Sequence, residues 1–260
     1  MKRVDARSIF VRTGRWPRRQ LRRMKGGVEV GGGWIALDDE VSLDASWLRL
    51  RLGSCLVEAR AVLPPIVLLD KPLGVVTSRV GEGGARTVFE ELASDLRDAV
   101  EPVGRLDRES TGLLLLVGDG RLIQHLGHPK REVPRTYLVT LAGEPDADAL
   151  QALREGRLEL KDGHRPRPLA LERLAERRWS VTLTEGKYHE VRRMFAAAGT
   201  RVMELRRTAF AGFTLDDLKG AAPFRRLDED EVAAAYDRMG VAPPSVLVEV
   251  REVAPASPKG

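Results

Sequence analysis

Aromatic residues are scarce in this chain, at 5%, and there is one cysteine, Cys55. A single thiol excludes a disulfide framework and any zinc cluster built on cysteines, and it fits a reducing cytoplasm. With few rings available, a core has to rest on Leu, Val and Ala. The 43% hydrophobic content is enough for one and argues against global disorder. No apolar run approaches the ~18 residues of a membrane span. The basic start, MKRVDARSIFVRTGRWPRR, lacks the apolar stretch of a secretory signal. P-loop, GxGxxG and metal-ligand spacings are missing too. His125 and His128 form an H-x2-H pair with no third or fourth ligand at suitable spacing. The expectation is a cytoplasmic protein with no membrane partner, no cofactor and no metal.

What is present is positive charge, unevenly placed. The 260 residues carry a net +5. Residues 1–25 hold ten Lys/Arg and one acid, a local +9, which leaves −4 for the rest. A basic segment joined to a near-neutral body suggests contact with a polyanion. The bland alternative is a solvated basic helix. In PRRQLRRMK, residues 17–25, Pro17 suits a helix start, Leu21 and Met24 share a face, and Gly26-Gly27 ends it. Arg18, Arg19, Arg22, Arg23 and Lys25 are the candidate RNA contacts there.

The chain length allows one large domain plus a small one. Three zones are expected: 1–60, a small basic domain of a helix and short strands; 61–240, a larger domain; and 241–260, a loose, proline-punctuated tail. GSCLVEARAVLPP, residues 53–65, reads as a linker. In the second zone strands are expected at 66–70, 112–117, 135–141, 168–174, 179–184 and 201–207. Helices are expected at 87–98, 119–126, 146–154, 188–198 and 229–238. Strands and helices do not alternate strictly, so the fold class is α+β with a mixed, mainly antiparallel sheet and flanking helices.

The chemistry concentrates in PVGRLDREST, residues 102–111, where Arg105, Asp107, Arg108 and Glu109 crowd a loop between apolar segments. Charge spacing alone would make this a solvated turn. The string GRLD followed by TGLLLL, however, resembles the catalytic motif of pseudouridine synthases. Three more stretches resemble that family in order: LDKPLGVVTS (69–78), RTYLVTL (135–141) and LTEGKYHEVRRMFAAAGTRVMELRR (183–207). Four ordered motifs are far more specific than one. Residues 183–235 are most similar to the members that modify small-subunit ribosomal RNA. The first zone resembles, more distantly, the small RNA-binding domain such enzymes share with a ribosomal protein. Its usual Asn-Gly turn is replaced by Gly31-Gly32-Gly33.

The resemblance implies that Asp107 is the catalytic carboxylate, that Arg192 pairs with it, and that Tyr137 stacks on the base and takes part in proton removal. Leu205 would wall the base and Arg105 would fill the space left when a uridine flips out. Lys71, Arg131, Arg135, Lys187 and Arg193 are read as facing phosphates, with solvated pairs of no special role as the alternative for some of them, and His189 as belonging to a helix N-terminus beside RNA. The family generally has Gln at the place of Glu190. An acid beside Arg192 and Arg193 either repels phosphate or pairs with an arginine. The implied partner is ribosomal RNA, in a partly assembled small subunit, for an enzyme acting as a monomer. Two alternatives remain: a large-subunit rRNA target, or a non-catalytic assembly factor on the same fold.

Overall fold

The computed structural model describes residues 2–253, apart from 25, 45, 82, 169, 245 and 246. Contacts divide the chain into two units, 1–64 with 243–260, and 65–242. Among the described residues no helix is long and apolar enough to cross a membrane.

The first unit begins with β1 (Lys2–Asp5), α1 (Ala6–Val11) and α2 (Arg18–Arg23). It continues through β2 (Gly27–Val30), β3 (Gly33–Ala36), β4 (Glu40–Leu43), β5 (Leu48–Leu52) and β6 (Cys55–Val62). Asp5 caps α1 by accepting from the Ser8 N–H at 2.8 Å. Residues 53–65 are therefore no linker. Cys55, Val57, Ala59 and Ala61 alternate inward on β6 and are buried, the period-2 pattern of a half-buried strand.

The second unit holds β7 (Ile66–Lys71), α3 (Ser94–Arg97), β8 (Glu101–Pro102), β9 (Ser110–Val117), α4 (Gly120–Gly127), β10 (Arg135–Leu141) and α5 (Ala147–Arg154). Then follow β11 (Ala170–Ala175), β12 (Arg178–Leu183), α6 (Glu190–Ala197), β13 (Val202–Phe210), β14 (Phe213–Thr214), β15 (Phe224–Arg226) and α7 (Glu229–Arg238). The sheet order is β11-β12-β10-β13-β9-β7-β15, with β14 added on β13 and β8 on β9. β13 runs parallel to β9. The other pairings are antiparallel, which makes this the expected α+β class with a mixed, mainly antiparallel sheet. Helix starts follow local chemistry: Asp146 caps α5 and Asp228 forms a capping box with Glu231 at α7.

Two further expectations fail. The helix over 87–98 shrinks to α3. Thr87 bridges to Val76, Val88 N–H donates to the Val76 carbonyl, and Glu90 accepts from Thr87 N–H, so the chain is held in turns until residue 94. The tail is not loose throughout either. Its β16 (Leu247–Glu252) pairs with β6, burying Val248 in the first unit. Residues 254–260 lie outside the described residues.

Two clusters of the second unit's core bear on the site. One gathers Val139, Trp179, Val181, Met194 and Phe195; the other gathers Val67, Leu69, Val88, Leu114 and Leu116. Tyr137, half-buried on β10, packs against both.

Candidate active site

Asp107 stands on the loop between β8 and β9, and its surroundings explain why LDKPLGVVTS precedes it. The buried Thr77 hydroxyl donates to the Leu106 carbonyl at 2.8 Å and accepts from the Leu106 N–H at 3.3 Å. Gly74 N–H donates to the Arg108 carbonyl at 2.9 Å, and Ser110 N–H to that of Asp107 at 3.0 Å. The loop is thus pinned on both sides of the carboxylate by uncharged groups. Lys71 lies behind it, fully buried, donating to the carbonyls of Pro72 at 2.9 Å and Val75 at 2.7 Å. Lys71 therefore does not face phosphate, contrary to expectation. Its side chain is drawn inward by two carbonyl acceptors. Burial pulls its pKa down to about 8, with the charges of Asp107 and Glu109 opposing that shift.

The second part of the site is a face of β10 and β13. Tyr137 lies opposite Arg207, and Val139 opposite Leu205. Directly opposed residues share a face, as do residues two apart along a strand. Tyr137, Leu205 and Arg207 accordingly line one cleft with Asp107. Gly112 makes this possible. β9 approaches β13 so closely there that a Cβ would lie 2.2 Å from the Arg207 carbonyl oxygen, and its φ of +99° suits glycine alone. The neighbouring Arg206 points the other way and pairs with Asp70 at 2.7 Å.

The third part is the segment from Leu183 to α6. His189 caps α6 in a left-handed conformation and brings its Nε2 to 3.5 Å from Asp107 Oδ2. Arg192 does not pair with Asp107 here. Its guanidinium donates to the carbonyls of Glu109 at 3.1 Å and Val202 at 3.4 Å, which places it just behind the Asp107 loop. Arg193 turns outward onto Asp162 and the Tyr188 carbonyl, so its charge is paired rather than offered to RNA. Lys187 lines the cleft, but its Nζ lies 2.7 Å from His164 Nδ1. Arg105 is exposed at the cleft, and Arg135 lines it with its guanidinium 5.4 Å from the Phe210 ring centre. Arg131 closes a short 3-10 turn and is exposed.

Glu190 neither repels a phosphate nor pairs with an arginine. It is buried, accepting from the Lys187 N–H at 3.0 Å and meeting His164 Nε2 at 2.8 Å. Burial raises its pKa, with His164 and the Lys187 N–H opposing. His164, Glu185 and Glu190 bring three ligand atoms within 4.8 Å of one another. An ammonium at Nδ1, however, makes that nitrogen an acceptor and leaves the ring proton on Nε2, facing Glu190. With the proton there, Nε2 has no lone pair to offer, the Nδ1 lone pair is engaged by the Lys187 ammonium, and the cluster is linked as a hydrogen-bonded chain.

The cleft has a volume of about 530 Å³. It offers a carboxylate, a phenol, an apolar wall and several cations, the equipment for acting on a flipped pyrimidine nucleotide. In the first unit, Arg19, Arg22 and Arg23 are exposed on α2, whose Leu21 is buried. Arg22 borders a groove with Arg7 and Arg12. Lys25 and the side chain of Arg18 lie outside the described residues.

Thr77, His164, Glu185 and Arg207 were not singled out from sequence. For Arg207 a signal exists: an arginine two positions after a core-facing leucine in a strand must share its face.

A mixed sheet with this carboxylate loop defines a class of RNA-modifying isomerase. The sequence pattern of the family described as RNA pseudouridylate synthase matches residues 65–197, and the chain belongs to that family; it is a pseudouridine synthase. It is similar to the ribosomal small subunit pseudouridine synthase A of Pasteurella multocida, 36% identical over 167 residues, 64% of this chain and 72% of that one. The Escherichia coli K12 protein of the same name is 30% identical over 212 residues, 80% of this chain and 91% of its own length. Among solved structures, one titled as a crystal structure of pseudouridylate synthase matches with a TM-score of 0.59 and 27% identity, covering 88% of this chain and 98% of that chain.

Proposed function

We propose that this pseudouridine synthase isomerises one uridine, or very few, in small-subunit ribosomal RNA, with Asp107 as the catalytic carboxylate and Tyr137 as the acceptor of the proton from carbon 5. The observation that carries the reading is the convergence of Asp107, Tyr137 and Leu205 on one cleft. In the reaction the bond from N1 of uracil to the sugar C1′ breaks and its electron pair stays on the base. Asp107 acts at the sugar, by attack at C1′ or by removing a proton from C2′. The base turns and C5 bonds to C1′, displacing the Asp107 carboxylate in the first case or with return of the proton to C2′ in the second. The proton on C5 then leaves, its electron pair closes the C5–C6 double bond, and N1 takes a proton from water. Atoms balance without an external reagent.

The names of the relatives from P. multocida and E. coli support a small-subunit target. The pocket must accept an extruded base, so the uridine lies where unpairing is cheap or where proteins have opened the RNA. The first unit, 1–64 with β16, adds a second grip through α2, raising effective concentration without reading the target base. A ribosomal substrate implies work in the cytoplasm. Arg105 fills the space left by the flipped base, and Arg135 and Lys187 steer the backbone.

The test is to offer the purified protein naked 16S rRNA, partly assembled small subunits, mature small subunits and 23S rRNA, and to map every pseudouridine by mass spectrometry. Conversion at one small-subunit site, best in the partly assembled particle, is expected. Selective conversion of 23S rRNA would overturn the target while leaving the isomerase intact.

A further inference from the structure

Arg207 is the largest fully buried side chain among the described residues, at 2% exposure. Its Nε donates to the Leu113 carbonyl at 2.7 Å, and its guanidinium carbon lies 4.8 Å from the Phe210 ring centre. Its Nη2, also buried, has no hydrogen-bond partner. Arginine stays charged in proteins, and a buried cation with a donor left unmet is costly. The fold nevertheless builds this arrangement, down to the glycine that lets β9 meet β13 at this residue. Such an unmet donor points to a charge that arrives later.

The cross-strand neighbour of Arg207 is Tyr137, on the same face and in the same cleft. Burial lowers the pKa of Arg207, and the Tyr137 hydroxyl is the main group opposing this. A phosphate on the RNA backbone is a poor candidate for the missing partner, because Nη2 has essentially no solvent-accessible surface. The phenol already stands opposite.

We propose that Arg207 is a positioning residue for Tyr137: its buried guanidinium holds the phenol oxygen in the cleft and stabilises the negative charge that oxygen carries while it takes the proton from carbon 5. The inference rests on the reading of Tyr137 as that acceptor. In the step, the phenol passes its own proton through water to N1 while its oxygen takes the C5 proton, and the C5–H electron pair closes the ring double bond, so the phenol is restored. The cation serves the moment of charge and needs no contact with the RNA.

A double-mutant cycle tests this, read by tritium release from RNA carrying 5-tritiated uridine, with thermal unfolding as a control for folding. Arg207→Met keeps length and removes charge. It is expected to fold, since uncharged groups often replace buried ions without loss, to keep KM within about twofold, and to lower kcat by about 30-fold or more. Arg207→Lys, which keeps the charge, should recover much of that loss. In a Tyr137→Phe background, Arg207→Met should cost little more, because the group it serves is gone. Should the Met variant not fold, Arg207→Gln enters the same cycle. A raised KM with unchanged kcat, or losses that add across the cycle, would overturn the proposal. If Tyr137→Phe alone turns over normally, the reading of Tyr137 has failed; if only Arg207→Met does, the proposal for Arg207 has failed and that of Tyr137 stands.

Discussion

The two loops that close on Asp107 are built from opposite materials. The loop that carries the carboxylate is pinned by a threonine hydroxyl and a glycine N–H, groups that do not titrate near neutrality. The facing segment, from Leu183 to α6, is tied together by His164, Glu185, Lys187 and Glu190, all titratable. In the proposed reaction the carboxylate has to be held still, since a misplacement of ~1 Å can cost 10²-fold in rate. The opposite wall has to admit and release an anionic strand, and charged groups that can exchange partners suit that task. Lys71 breaks the pattern most, as a fully buried charge behind a loop that the Arg192 guanidinium also braces at the Glu109 carbonyl.

That exception gives the largest expected effect on stability. The native pKa of Lys71 is about 8 against an ordinary 10.5, so between those values the unfolded chain holds a proton that the native one has released. Stability contributed through Lys71 therefore rises with pH across that window, by roughly 3 kcal/mol in all. Below pH 8 the native state bears the full cost of the buried charge. Denaturant unfolding of wild type and Lys71→Met at pH 7.5, 8.5 and 9.5 should show the gap between them changing with pH; parallel curves would mean that the amine is solvated.

Thr77→Val comes next. It leaves both the N–H and the carbonyl of Leu106 without their partner, a loss of about 1–3 kcal/mol in stability. Turnover should fall tenfold to a hundredfold while RNA affinity holds, because only the carboxylate moves. If kcat is unchanged, the loop needs no clamp. In the facing wall Glu190→Gln should be milder, within about threefold in turnover, or ~0.7 kcal/mol. Its signature lies in pH. The carboxyl's pKa is raised in the native state, so its ionisation erodes stability as pH rises above 4.5. The Gln variant should gain on wild type over that rise, and a constant difference would place Glu190 in water. The smallest effect belongs to the N-terminal unit, where each of Arg19, Arg22 and Arg23 changed to Gln should lower the salt slope of RNA binding by roughly 0.7–0.9. An unchanged slope would make α2 a solvated face.

Much of this was legible in the sequence because the relevant residues are contiguous. Asp107, Tyr137 and the 183–207 stretch stand in unbroken strings, and the strands around them follow plain apolar periodicity. β6 and β16 were missed although Cys55, Val57, Ala59 and Ala61, like Val248 and Val250, alternate as strands do. Nearby prolines obscured them, and although β6 also pairs with the adjacent β5, the pairing of β6 with β16 joins residues 189 positions apart, as in the Arg60–Glu249 pair. The Arg192–Asp107 pair failed for a different reason. The resemblance brings this arginine to the loop, but which acceptor it takes depends on backbone carbonyls that no sequence pattern displays. His164 was beyond reach on the same ground, since it meets Glu190 only through the fold.

The central claim is that the Asp107 carboxylate, on a loop anchored by the Thr77 hydroxyl and the Gly74 N–H, carries the isomerisation. Asp107→Asn changes one atom of the side chain and leaves the Thr77 and Gly74 anchors in place. The decisive measurement is tritium release from RNA carrying 5-tritiated uridine, with wild type and Asp107→Asn bound to the same RNA. Wild type should release tritium in step with pseudouridine formed, while Asp107→Asn, folded and binding RNA within about threefold of wild type, or ~0.7 kcal/mol, should release none. Release at the wild-type rate by Asp107→Asn would remove this carboxylate from the mechanism.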